Sequence, residues 1–317
     1  MKIGNKTYIE NHIESEMQKI QNEKKTNSVP WDYFLALVNL SKELHSIYHK
    51  DKIVDIWLKN RLFIKGIDQI NLEPHKFDFN EIKGREFLKQ LSYLGGIVFT
   101  FHYSYYRHTN LRIARELKKA SLSIPLALVI DNESYNNENS AMRSEHEKLN
   151  IEYILAEDPK SIFKIKRILN NNGVVFIYID GNTGSGEDSK NYTTNILNSK
   201  VNVRSGSFRL LSLIGKPFFP ALANGNRLEI YNKNYVTKGN ISASIDYLYG
   251  VFNNLVSKNP ELWRFWYRHH KHVSSWNNSP PIREESSDSD MWTTTLAGSG
   301  EKIGLEVSSG RVYKLGD

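Results

Sequence analysis

The alternation of apolar and polar positions changes character along the chain. Residues 1–28 are polar and charged, with weak helical periodicity. In "WDYFLALVNLSKELHSIYHK" apolar side chains recur at positions 31, 34, 35, 38, 44, 47 and 48, close to the helical period of 3.6. Pro30 suits the first turn of that helix. "DKIVDIWLKNRLFIKGI" continues the pattern, and "FDFNEIKGREFLKQLSYLGG" predicts a helix from about residue 79 that stops at Gly95 and Gly96.

From residue 97 short apolar runs alternate with helical segments. "IVFTFH", "IPLALVID", "IEYIL" and "VVFIYID" read as strands. Between them lie three helical stretches. "TNLRIARELKKASL" has Thr109 or Asn110 as its cap, "NSAMRSEHEKLN" has Ser140, and "DPKSIFKIKRILNNNG" has Asp158 with Pro159 at its first position. Such alternation predicts an α/β fold, a mainly parallel sheet flanked by helices. Sheets of this kind place chemistry at the carboxyl ends of their strands. His102, Asp131 and Asp180 each stand at one.

Residues 181–204 are rich in Gly, Ser, Asn and Thr and read as a long loop or lid. "SGSFRLLSLIGKPFFPALA" reads as helix then strand, "RLEIYNKNYV" as a strand, and "SASIDYLYGVFNNLVSKNPELWRFWYRHHKHV" as a long helix broken near Pro260. Residues 274–290 have linker composition, and the remainder predicts two or three short strands with glycine turns. Three regions are expected: a helical region over 1–84, an α/β domain over 85–273, and a linker with a small β appendage over 274–317.

Composition removes several classes of chemistry. The 317 residues include no cysteine, so disulfides, thiolate metal sites and a cysteine nucleophile are excluded. A net charge of +7 favours acidic partners: phospholipid head groups, nucleic acid or an acidic carrier protein. No apolar run approaches the roughly 18 residues of a membrane span. The N-terminus lacks the apolar core of a signal peptide, so a cytoplasmic protein is expected, with peripheral membrane contact as a variant.

His102 ends an apolar strand inside a tyrosine cluster, "FTFHYSYYRHTN". As a neutral imidazole it can take a proton from a hydroxyl or amine attacking a carbonyl, given a carboxylate on its other nitrogen. A strand-end histidine held by a backbone bond is the competing reading. Asp180 is the candidate acid, and its competing reading is a turn-initiating aspartate before Gly181. "RFWYRHHKH", residues 264–272, fits phosphate and base contacts, anionic lipid, or a solvated basic helix end. A zinc site from His269, His270 and His272 is not expected, because neighbouring residues point to different helix faces. "DGNTGSGED" matches no nucleotide-binding fingerprint and fits a lid better.

Three blocks, in order, carry a family likeness: "GGIVFTFHYSYYRHTNLRIA"; "LNNNGVVFIYIDGNTGSG" with "VNVRSGSFRLLSLIGKPFFPALA"; and "NPELWRFWYRHHKHV". Together they resemble the bacterial lipid A late acyltransferases, the lauroyl/myristoyl type of the lysophospholipid acyltransferase superfamily, over about residues 85–273. The resemblance implies transfer of an acyl or aminoacyl group from an acyl carrier protein or coenzyme A thioester to a hydroxyl or amine of a lipid, small molecule or peptide. It implies no metal or redox cofactor. It makes His102 the base; Asp180, at the neighbouring strand end, is the candidate partner, and Arg107, His108, Arg204, Ser205 and Gly206 are the candidate substrate contacts.

The chain departs from the family's pattern in one place. That pattern is His, four residues, then Asp or Glu, and here Arg107 holds the acid's position. An arginine only donates hydrogen bonds and cannot orient a neutral imidazole. Asp180 is the replacement on offer. A non-catalytic relative that binds lipid or a carrier protein is the alternative, and a nucleic-acid-binding protein a second.

Overall fold

The computed structural model describes residues 14–20, 22–23, 26, 28–121, 123–181, 192–277 and 291–315. The chain forms two compact units. One comprises residues 70–194 and 202–255, and the other residues 1–69, 195–201 and 256–317.

The unit of residues 70–194 and 202–255 is built on an eight-stranded sheet. Its strands are β1 Glu81–Lys83, β2 Gly96–Thr100, β3 Leu126–Ile130, β4 Ile151–Leu155, β5 Val174–Tyr178, β8 Pro217–Asn224, β9 Arg227–Ile230 and β10 Asn234–Tyr235. The spatial order is β1-β9-β8-β2-β5-β3-β4, with β10 against β8. Among the described residues of this sheet, only the β8–β9 and β8–β10 pairs are antiparallel. The fold class is therefore the α/β arrangement that the alternation of apolar runs predicts.

All five residues of β2 are buried, as expected of a central parallel strand covered on both faces. On one face Val98, Leu128 and Phe176 pack with Leu88 and Leu91 of helix α3 (Arg85–Leu94) and with Ile113, Ala114 and Leu117 of helix α4 (Tyr106–Ala120). On the other, Phe99 stacks on Phe208 of helix α8 (Gly206–Ile214) at 5.0 Å between ring centroids. Just past the strand, Phe101 stacks on Phe252 of helix α9 (Ile241–Val256) at 4.0 Å.

The entrance to β2 needs both of its glycines. Gly95 and Gly96 have φ of 64° and 138°. A Cβ on Gly95 would lie 2.6 Å from the backbone of Asn172 and Gly173, and one on Gly96 would lie 2.5 Å from the Pro217 carbonyl oxygen. The starts of β5 and β8 thus close on β2 from either side.

Several helix starts differ from the sequence expectation. Helix α4 begins at Tyr106, so Thr109 and Asn110 are interior residues rather than caps. Helix α5 (Asn132–Asn136) takes Asp131 as its cap. Helix α6 (Ser140–Lys148) is capped by Asn139, whose side chain accepts from Met142 N–H, and not by Ser140. Helix α7 (Ser161–Asn170) starts beyond Pro159, while Asp158 accepts from Lys160 N–H. Helix α3 starts at Arg85, because the residues before it form β1 and Gly84 turns the chain at φ 82°. Part of the expected lid is a hairpin, β6 (Tyr192–Ile196) and β7 (Ser199–Val203), turned at Leu197 with φ 47°. Residues 182–191, most of the remaining lid, and most of the expected linker, 278–290, lie outside the described residues.

In the other unit, helices α1 (Trp31–Leu44) and α2 (Lys50–Ile70) follow the predicted period, with Pro30 one residue ahead of α1. Buried Arg61 pairs with Glu16 and Glu23. Three antiparallel strands, β12 (Met291–Thr295), β13 (Lys302–Glu306) and β14 (Arg311–Leu315), form the expected β element. Past α9 the chain runs through two 3-10 segments, Pro260–Leu262 and Arg264–Lys271, and then β11 (Val273–Trp276), which pairs with β7. No described helix is long and apolar enough to cross a membrane.

Two glycine substitutions separate close packing from intrinsic propensity. Gly96→Ala is expected to lower unfolding free energy by about 2 kcal/mol or more, because its backbone conformation and its neighbours both reject a Cβ. Gly66→Ala, within α2 with nothing within 4 Å of the added Cβ, is expected to raise it by about 0.5–1 kcal/mol. Urea midpoints of the two variants should move in opposite directions.

Candidate active site at the carboxyl ends of β2 and β5

Strand register brings His102 and Asp180 together. In the β2–β5 ladder Thr100 stands opposite Tyr178. His102 and Asp180 lie equally far beyond that pair, and Ile179 N–H still donates to the Thr100 carbonyl at 2.9 Å. The next donor, His102 N–H, meets the Asp180 carboxylate instead, at 2.9 and 3.1 Å to its two oxygens. The same carboxylate lies 2.8 Å from His102 Nδ1. A carboxylate only accepts, so Nδ1 carries a proton, which in the neutral tautomer puts the lone pair on Nε2. The Asp180 side chain is 5% exposed and that of His102 16%, so the base is reachable while the acid is enclosed.

Tyrosines flank the imidazole. The Tyr106 ring lies 4.8 Å from it and the Tyr178 ring 4.7 Å, between centroids. Asn110 Nδ2 donates to the Tyr178 hydroxyl at 2.8 Å. Burial, then the neighbouring Tyr106, pushes the Tyr178 phenol well above its ordinary value, so it stays protonated. Burial and the charge of Asp180 push Tyr249 up as well.

Arg107, in the position where the family likeness would have an acid, is turned to other partners. Its Nη1 pairs with Glu138, whose side chain is 4% exposed, and its Nε donates to the Tyr106 hydroxyl at 3.3 Å. Burial opposes its charge, but Tyr106 and Glu138 outweigh that and raise its pKa. His108 is 2% exposed, packs edge-on against Phe77 at 4.5 Å, and has no hydrogen-bond partner on either ring nitrogen among the described residues. It does not join the His102–Asp180 pair. Arg204, Ser205 and Gly206 lead into α8, with Ser205 at its cap position and Arg204 half-buried. Since α8 feeds the parallel strand β8, its first residues face the carboxyl edge of the sheet.

The remaining sequence candidates have structural roles. Asp131 accepts from Ser134 N–H at 2.6 Å. In the basic aromatic stretch, Phe265, Trp266 and His269 are buried, so rings that would stack on bases face inward. There His269 Nε2 meets the Glu43 carboxylate at 2.5 Å and Ser199 Oγ at 3.2 Å. These are the residue types of a nucleophile relay, but acid and hydroxyl share one ring nitrogen, whereas a relay needs them on opposite nitrogens. No three metal-ligating side chains cluster among the described residues.

Sequence reading missed Tyr106 and Tyr178 beside the imidazole, and Asn110 and Glu138, which bond Tyr178 and Arg107 in turn. For Tyr106 the tyrosine content of "HYSYYRH" was a signal, and it does not say which ring faces the histidine. No protein-family model matches the chain, and no curated protein matches it.

The buried histidines give a pH prediction. Burial, with nearby Arg115 and Arg107, pushes His108 down to about 4, and burial pushes His146 down to about 4 from 6.5. Well above pH 6.5 both are neutral whether folded or unfolded and contribute no pH dependence. Between 6.5 and about 4 the unfolded chain takes up protons that the fold refuses, so stability falls as pH falls. Each histidine can contribute a slope of up to about 1.4 kcal/mol per pH unit. Urea titrations of His108→Phe should show a shallower acid loss than wild type across that window.

Proposed function

We propose that this protein is an acyltransferase. It moves an acyl or aminoacyl group from an acyl carrier protein or coenzyme A thioester to a hydroxyl or amine, with His102 as general base and Asp180 as its orienting acid. The observation that carries the reading is the bond from His102 Nδ1 to a carboxylate that also holds the histidine's own backbone N–H. That bond puts the ring proton on Nδ1, and Nε2 is the proton acceptor of the proposed reaction. The ordered likeness of the three sequence blocks to the lipid A late acyltransferases supports the choice of reaction.

The acceptor's proton goes to His102 Nε2 as its oxygen or nitrogen attacks the thioester carbonyl carbon. The C–S bond then breaks, and the departing thiolate takes the proton back from the imidazolium. The products are an ester or amide and a free thiol. Asp180 keeps the ring in one tautomer and stabilises the imidazolium. Arg204 is the candidate for the donor's phosphate, a role arginine forks suit. The net charge of +7 suits docking of an acidic carrier protein, in the cytoplasm or at the inner membrane face.

The chain has no cysteine, so it adds no thiol of its own when donor thiol is measured with a purified acceptor. The full chain is incubated with a panel of acyl and aminoacyl thioesters plus lysate and membrane extract, and products are read by mass spectrometry. An acylated product is expected with wild type and absent with His102→Ala. Asp180→Asn is expected to lower turnover by about 10²- to 10⁴-fold. A product indifferent to His102→Ala would put the chemistry elsewhere. No product with any thioester, while the donor still binds, would support a binding protein instead.

A further inference from the structure

The acyltransferase reading leaves one charge without a partner. As the acceptor attacks, the thioester carbonyl oxygen becomes an oxyanion, and neither His102 nor Asp180 supplies a donor for it. A hydrogen-bond donor beside the imidazole is what the chemistry needs.

The first turn of α4 holds such a donor. The Tyr106 ring lies 4.8 Å from that of His102. Its hydroxyl oxygen accepts from Arg107 Nε at 3.3 Å. Arginine cannot accept, so this bond leaves the phenol's own proton uncommitted, and it meets no acceptor among the described residues. Donation by a guanidinium polarises the O–H and makes it the stronger donor. The guanidinium is held in turn by Glu138 on a 4%-exposed side chain. Tyr106 itself is 4% exposed, in surroundings dry enough for one hydrogen bond to count for more than in water.

We propose that the Tyr106 hydroxyl donates a hydrogen bond to the oxyanion formed at the thioester carbonyl, and that Arg107, anchored by Glu138, is the positioning residue that polarises and aims it. The residue in the family acid's place then serves a different end, since the acid stands on the neighbouring strand and Arg107 acts on the opposite charge. In the step itself the acceptor's lone pair forms the new bond to the carbonyl carbon, and the C=O π pair moves onto oxygen. Tyr106 O–H binds that oxygen without giving up its proton. The pair returns to re-form C=O as the C–S bond breaks, and the thiolate takes the proton from His102. The inference rests on the acyltransferase reading.

The test measures kcat and KM for the full chain by thiol release from the donor that gives a product. Wild type, His102→Ala, Tyr106→Phe, Arg107→Gln and the Tyr106→Phe/Arg107→Gln double variant are compared. Tyr106→Phe keeps the ring and is expected to lower kcat by about 10²- to 10³-fold with KM within about threefold. Arg107→Gln should lower kcat in the wild-type background and hardly at all in the Tyr106→Phe background, since it acts through the hydroxyl. A merely structural tyrosine would leave the kcat-to-KM split and the coupling flat while moving the melting temperature. Tyr106→Phe turnover within about threefold of wild type, beside a dead His102→Ala, would overturn this proposal and leave the acyltransferase reading standing. Independent, multiplying losses from the two substitutions would overturn the role of Arg107. Wild type without His102-dependent transfer would overturn both readings.

Discussion

The Asp180 carboxylate takes the place of a rung in the β2–β5 ladder. Where the next backbone carbonyl would receive the His102 N–H, a side chain receives it, and the same group holds the imidazole at Nδ1. Charge-assisted bonds of this kind are short and directional, so one carboxylate fixes both the backbone and the ring of the same residue. The role proposed for His102 follows from that doubled attachment. It depends on the register of two parallel strands, and the register depends on the close approach that Gly95, Gly96 and Gly173 allow at the other end of the sheet.

The placement of Asp180 changes how the residue pattern around His102 is understood. An acid on the same helix would orient the ring across the first turn. Here an acid from the neighbouring strand end does so, and the first turn carries a cation, Arg107, neutralised by Glu138 and bonded to a tyrosine hydroxyl. A cation near a general base opposes the imidazolium unless a carboxylate compensates. Glu138 compensates Arg107, and Asp180 faces the imidazole directly. Asp180 bonds the ring at Nδ1, and the Arg107–Glu138 ion pair reaches it through Tyr106, whose ring lies 4.8 Å away.

The contrast with Glu43, His269 and Ser199 shows why residue types alone do not define chemistry. All three are almost wholly buried, and both partners of the histidine compete for Nε2. With no proton acceptor turned toward solvent, that cluster joins Glu43 of α1 to the segment at 264–271 and to β7. At His102 the carboxylate takes Nδ1 alone, and the side chain is 16% exposed.

The sequence by itself determined the α/β class, because burial on both faces leaves continuous apolar runs such as "GIVFT", and amphipathic helices between them leave a 3.6 period. It also placed His102 and Asp180 at strand ends, since each follows such a run directly. Helix starts were less legible. Neighbouring residues such as Asn139 and Ser140 are both good caps by type, and local pattern does not say which one the folded chain uses. The pairing of His102 with Asp180 was decided only by tertiary structure. Two residues 78 apart meet through a ladder whose register no local pattern encodes. So were the turning of Arg107 to Glu138 and the approach of Tyr106 to the imidazole, because a side chain's direction from a helix's first turn is set by what packs against it.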